Sequence, residues 1–95
     1  MNNPGFYVTN RDGLTGFRLC FSNGYELSVV FGEKVGFFDT TMVKNSEGTD
    51  YFSENAEIAV INDKGAIIPF SKTKITRDNV KPEDLLQVIS WVANR

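Results

Sequence analysis

The sequence predicts an α+β fold: an antiparallel sheet of about four to six strands built from hairpins, with one C-terminal helix packed on one face. Three observations predict it. Two alternating apolar stretches each break at a short turn ending in glycine, Ser22-Asn23-Gly24 and Asp63-Lys64-Gly65. From Pro82 onward the apolar residues switch to helical spacing. The chain of 95 residues has room for one domain, 1–95, and its eight Phe, three Tyr and one Trp supply the bulk a small core needs.

The register of the first hairpin follows from its faces. Phe17-Arg18-Leu19-Cys20-Phe21 and Tyr25-Glu26-Leu27-Ser28-Val29 both alternate with period two. A two-residue Asn-Gly loop would set Phe21 against Glu26 and Leu19 against Ser28. A three-residue loop pairs Phe21 with Tyr25, Leu19 with Leu27 and Phe17 with Val29, so one face becomes wholly apolar. A one-residue slip exchanges the faces, so the three-residue loop is expected, with Gly24 in the left-handed conformation. The other face then carries Arg18, Cys20, Glu26 and Ser28 and is expected to point outward.

The second hairpin, Glu57–Ile61 and Ala66–Phe70, follows the same logic. A loop of Asp63-Lys64-Gly65 pairs Val60 with Ile68 and Ile58 with Phe70. On the opposite face Ile61 meets Ile67 and Ala59 meets Pro69. Both faces are apolar, which calls for a central position or a covering partner. Pro69 cannot donate to a ladder, so its strand lies at an edge or ends there. In the helix, Pro82 suits the first position, and Glu83 and Asp84 suit the first turn. Leu85, Leu86, Val88, Ile89, Val92 and Ala93 form its apolar stripe, with Trp91 off the margin. Phe6–Thr9 reads as a first strand. Gly32 to Asn55 reads as a short strand near Val35–Phe38 with an exposed, mobile tip near Ser46–Asp50. Lys72, Lys74, Arg77 and Lys81 read as a solvated connector.

Composition removes many functions. Twelve acidic and ten basic residues leave a formal charge of −2 with no histidine. That argues against a dedicated nucleic-acid binder and is too mild for a polyanionic DNA mimic. No apolar run is long enough to cross a membrane, and Met1-Asn2-Asn3-Pro4-Gly5 lacks the features of a signal peptide. A single cysteine forms no internal disulfide, so a cytoplasmic protein is expected. Without histidine, zinc sites, Cys–His pairs and Ser–His–Asp triads are largely excluded. Asp39, Glu47, Asp50, Glu54 and Glu57 lack calcium-loop spacing and read as a solvated acidic loop. Cys20, with no activating base, reads as a structural or merely exposed thiol. Gly32-Glu33-Lys34-Val35-Gly36 lacks phosphate-loop spacing and reads as a turn. No catalytic residue, cofactor or metal is expected.

Gly16-Phe17-Arg18-Leu19-Cys20-Phe21-Ser22-Asn23-Gly24-Tyr25, continuing through Leu27-Ser28-Val29 and Phe31-Gly32, resembles a pattern in small bacteriophage and prophage proteins of uncharacterised function. Ser53 to Ala59 and Val80 to Leu86 resemble the same proteins in the same order, so the likeness covers roughly half the chain. The middle departs, because the family's asparagine- and cysteine-containing loop after Phe-Gly has no counterpart in Glu33 to Asp50. The resemblance implies context only: a small stand-alone protein made in an infected bacterium, hence in host bacterial cytoplasm.

Small size, missing catalytic constellations and apolar candidate surfaces together point to a non-enzymatic binding protein, such as an inhibitor of a host defence protein acting by surface occlusion. The contact candidates are Tyr51, Phe52, Ile61, Ile67, Pro69 and Trp91, because exposed aromatic and apolar groups carry most interface energy. A protein partner or self-association is expected. The alternatives are a structural or assembly protein, or a homo-oligomer joined through the second hairpin. Sequestration of a nucleotide signal is a third reading that rests on a few Lys and Arg residues alone.

Overall fold

Seven-residue strands at the start of the chain carry most of the pairing. A computed structural model describes residues 3–11, 14–32, 43–44, 51–53, 55–69 and 77–95. The strands are β1 (Gly5–Arg11), β2 (Leu14–Cys20), β3 (Glu26–Gly32), β4 (Val43–Lys44), β5 (Tyr51–Phe52), β6 (Ala56–Ile61), β7 (Ile67–Ile68) and β8 (Arg77–Val80), followed by helix α1 (Pro82–Ala93). One antiparallel sheet runs β1-β2-β3-β6-β7, and β8 also pairs with β6. Because β3 takes one edge of β6, β7 and β8 share the other. The pair β4–β5 forms a small sheet of its own. This is the expected α+β architecture.

Both hairpin registers are the expected ones. Phe17, Leu19 and Arg18 stand opposite Val29, Leu27 and Ser28. Phe21 N–H donates to Tyr25 O at 2.8 Å and Gly24 N–H donates to Phe21 O at 3.0 Å, which closes a three-residue loop. Gly24 has φ 89°, a conformation that costs glycine little. The second loop repeats the device: Asn62 N–H donates to Ala66 O, Gly65 N–H donates to Asn62 O, and Gly65 has φ 81°. In it Val60 meets Ile68 and Ile61 meets Ile67. The strand then ends just before Pro69. Ile58 pairs with Arg77 of β8 at the edge where Phe70 was expected; Phe70 itself lies outside the described residues.

Arg77–Val80, the described part of the expected connector between the second hairpin and the helix, is therefore a strand rather than solvated coil. Val80 at its end is buried. In β8, Asp78 and Asn79 together face Glu57, since Ala56 pairs with Val80 and Ile58 with Arg77. Asn79 takes φ 54° at this bulge, where asparagine is tolerated, and its Oδ1 accepts from Asn55 Nδ2 at 2.9 Å. Arg77 is exposed and Lys81 is the helix N-cap residue; Lys72 and Lys74 lie outside the described residues. So do the strand expected near Val35–Phe38, the tip at Ser46–Asp50 and the carboxylates Asp39, Glu47, Asp50 and Glu54.

One face of the sheet carries the core. Leu27 and Val29 of β3, Ala56, Ile58 and Val60 of β6, Val80 and Val92 are all buried together. Leu85, Val88 and Ile89 of α1 pack on them. The buried stripe is thus narrower than expected, because Leu86 and Ala93 are exposed. Pro82 opens the helix, and Asp84 Oδ2 accepts from Lys81 N–H at 3.2 Å, tying down the first turn. At the other end the first hairpin reaches over the helix. Asn23 Nδ2 donates to Val92 O at 2.9 Å, and Asn23 Oδ1 accepts from Tyr25 N–H at 3.0 Å.

The opposite face is less open than simple alternation implies. Cys20, Val30 and Glu57 on it are buried. Glu57 is therefore a strand residue within the sheet and not part of a solvated loop. Arg18 and Glu26 are half-buried and lie 3.4 Å apart, with the Arg18 guanidinium 5.2 Å from the Tyr7 ring centroid. Gly16 is buried on the same face, and a Cβ there would collide with the Val29 carbonyl oxygen on the neighbouring strand.

Two substitutions test this account by urea unfolding. Gly16→Ala forces backbone apart in the middle of the β2–β3 ladder, so it should cost at least about 3 kcal/mol or prevent folding. Asn23→Ala removes both bonds of the loop amide and should cost about 1–3 kcal/mol. A loss below about 0.5 kcal/mol for Asn23→Ala would show that the loop does not hold the helix.

Candidate functional site

Helix α1 runs along β3 and β6, with its first turn near Phe31 and Ala56 and its last near the Asn23 loop. A helix is about 10 Å across with its side chains, whereas strands are spaced about 4.8 Å apart. One helix therefore covers about two strands fully. Both margins of a sheet this wide must be left to other groups or to solvent.

At the β7 margin this produces a cleft of about 340 Å³ lined by Val60, Ile68, Pro69, Gln87, Val88 and Trp91. The floor is β6 and β7, and one wall is the helix. Among the described residues that line it, none carries an ionisable side chain. It can take up an apolar side chain, with the Gln87 amide as the polar contact beside it. Trp91 is 44% exposed at its margin. The Arg95 guanidinium lies 4.2 Å from the Trp91 ring centroid, and Arg95 Nε donates to Trp91 O at 3.0 Å. This cation–π contact props the indole on one side.

Six residues were candidates from the sequence, and they fall in three places. Pro69 and Trp91 come together in the cleft. Ile61 and Ile67 pair on the opposite face of the same hairpin, with Ile67 44% exposed and Ile61 half-buried. Ile61 lines a second hollow, beside Glu26, Asp63 and Lys64, between the two hairpin loops. Tyr51 and Phe52 form β5, paired with Val43–Lys44 in the separate small sheet; their side chains lie outside what is described. Among the described residues no group of three His, Cys, Asp or Glu is placed to hold a metal ion.

Sequence reasoning missed the most exposed large apolar groups among the described residues. Phe6 is 85% and Val8 is 86% exposed, and Leu86 is 68% exposed. Phe6 stands opposite Leu19 and Val8 opposite Phe17, so both are on the helix-bearing face. They lie two strands from β3, beyond the reach of the helix. The signal was present in the β1–β2 register combined with the width of one helix.

Comparisons with family models, curated proteins and solved structures find no match to this chain. Among the described residues no helix is long and apolar enough to cross a membrane.

The Arg95 guanidinium covers one face of the Trp91 indole. Arg95→Ala should raise the acrylamide quenching of the single tryptophan while changing stability by no more than about 1 kcal/mol. Unchanged quenching would mean that Arg95 does not shield the indole.

Proposed function

We propose that this chain is a small non-catalytic binding protein that works by occluding a surface of a protein partner. In the phage setting implied by the sequence resemblance, the partner is a host protein, and an inhibitor of a defence protein is the specific form of that reading. The observation that carries it is the cleft with Trp91 at its margin, whose described lining residues are apolar apart from the neutral Gln87. Tryptophan is enriched at binding hot spots, and a concave apolar site next to it accepts a partner's anchoring side chain. Ile67, exposed on the other face of the same edge strand, extends the contact for a partner that wraps the β7 edge.

The alternative of a homo-oligomer joined through the second hairpin has less support. β7 is only two residues long, so its outer edge offers few backbone hydrogen bonds.

The test is capture of a stoichiometric host protein from bacterial lysate by tagged protein, followed by affinity measurement on the purified pair. Trp91→Ala and Ile67→Asp should each weaken the complex at least about tenfold, as expected for hot-spot residues, while leaving the fold intact by circular dichroism. If neither substitution changes the affinity, the cleft is not the contact surface.

A further inference from the structure

The second uncovered margin is β1, and its backbone geometry can be worked out strand by strand. Phe21 N–H bonds to Tyr25 O, so Phe21 turns its backbone groups toward the β3 side. Direction alternates along an antiparallel strand. Leu19 and Phe17 therefore also face β3, and Cys20, Arg18 and Gly16 face β1. Their partners Gly5, Tyr7 and Thr9 face back toward β2. Phe6, Val8 and Asn10 consequently aim their N–H and C=O groups outward, along an edge that no described strand pairs.

We propose that β1 is a dimerisation strand: a second copy of this chain pairs antiparallel with it about a two-fold axis at Tyr7. In that register Phe6 of each copy stands opposite Val8 of the other, and each such pair exchanges two backbone hydrogen bonds. Apolar meets apolar on the helix-bearing face, while the two Tyr7 residues meet on the opposite face as a non-hydrogen-bonded pair. A register one step along, centred on Val8, sets Phe6 against Asn10 and loses that match. The strand's one charged residue, Arg11, falls opposite Asn3, so no like charges meet. Pro4 has no N–H and limits the ladder beyond Gly5.

The exposed surface suits a second copy and sets the strength of the contact. Phe6 and Val8 of two copies offer roughly 600 Å² of apolar area, taking about 200 Å² for a phenylalanine. With the paired backbone this reaches only the low end of specific interfaces, the size class of weak and transient contacts. The apolar strip continues inward through half-buried Phe17 and Leu19.

Sedimentation equilibrium over a range reaching well above micromolar concentrations tests the proposal. The mass should rise from 10.6 kDa to twice that value. Val8→Lys should shift the midpoint upward at least tenfold, while Leu86→Lys, on another exposed apolar residue away from β1, should leave it unchanged. Both positions are exposed, so neither substitution should disturb the fold. In a Cys20→Ala background, Tyr7→Cys should oxidise to a covalent dimer, because non-hydrogen-bonded pairs lie about 4.5 Å apart at Cα, within disulfide range. Val8→Cys should not, being diagonal to its counterpart across the axis. A mass of 10.6 kDa throughout overturns the proposal. So does a dimer that Val8→Lys leaves intact, or a Tyr7→Cys protein that stays monomeric under oxidation.

Discussion

The side-chain amide of Asn23 joins the two kinds of structure in this protein. The last carbonyls of a helix have no partner within it and must find one outside. Here Val92 O, in the final turn, accepts from Arg95 N–H at 3.2 Å and also from Asn23 Nδ2, a residue 69 positions earlier in the chain. The same side chain accepts the Tyr25 N–H and so fixes the shape of its own loop. A single amide thus sets both the turn that registers β2 against β3 and the position where α1 ends over β3. A helix of 12 residues is marginal in water by itself, so its order depends on this tether and on the burial of Val92, Val88 and Leu85.

Much of that arrangement was legible in the residues. Alternation fixed which face of β2 and β3 is apolar, and the cost of a mismatched face selected the three-residue loops over the shorter Asn-Gly turn. Pro82 marked the start of the helix because its ring suits the first position and its missing N–H is not needed there. The role of Asn23 beyond its own loop was not legible. Its long-range bond depends on where the helix ends in space, which no local pattern encodes. β8 was hidden for a related reason. Arg77-Asp78-Asn79-Val80 is polar and lacks alternation, and it becomes a strand only because β6 has a free edge after β7 stops short of Pro69.

The candidate site was half legible. Trp91 was placed off the apolar stripe by the helical period alone, and that is where it lies. Its neighbours could not be inferred, because the cleft is a gap between the helix and a strand distant in sequence. Alternation puts Pro69 on one face with Ile61 and Ile67, but the strand ends at Ile68, so Pro69 leaves that face and lines the cleft with Val60 and Ile68 while Ile61 and Ile67 stay behind. Leu86 was assigned to the buried stripe by type, yet only Leu85, Val88, Ile89 and Val92 reach the core. An apolar stripe read from sequence has no width limit, whereas the contact between one helix and a sheet does.

That width limit links the two surfaces. One helix lies over the β3–β6 pair and leaves apolar material at both margins of the same face. At the β7 margin the leftover is concave, since the wall of the helix and the end of β7 enclose it. At the β1 margin it is flat, formed by side chains of one strand and an edge of outward-facing backbone groups. The shapes call for different occupants. A concave site selects a projecting side chain, whereas a flat edge selects another strand. Because the margins are the opposite ends of the strand order β1-β2-β3-β6-β7, pairing at one leaves the other free. Two copies joined at β1 would carry two clefts facing the same side of a continuous sheet. A partner with two matching sites would then be held by both at once, and a modest affinity at each cleft would be raised by their linkage.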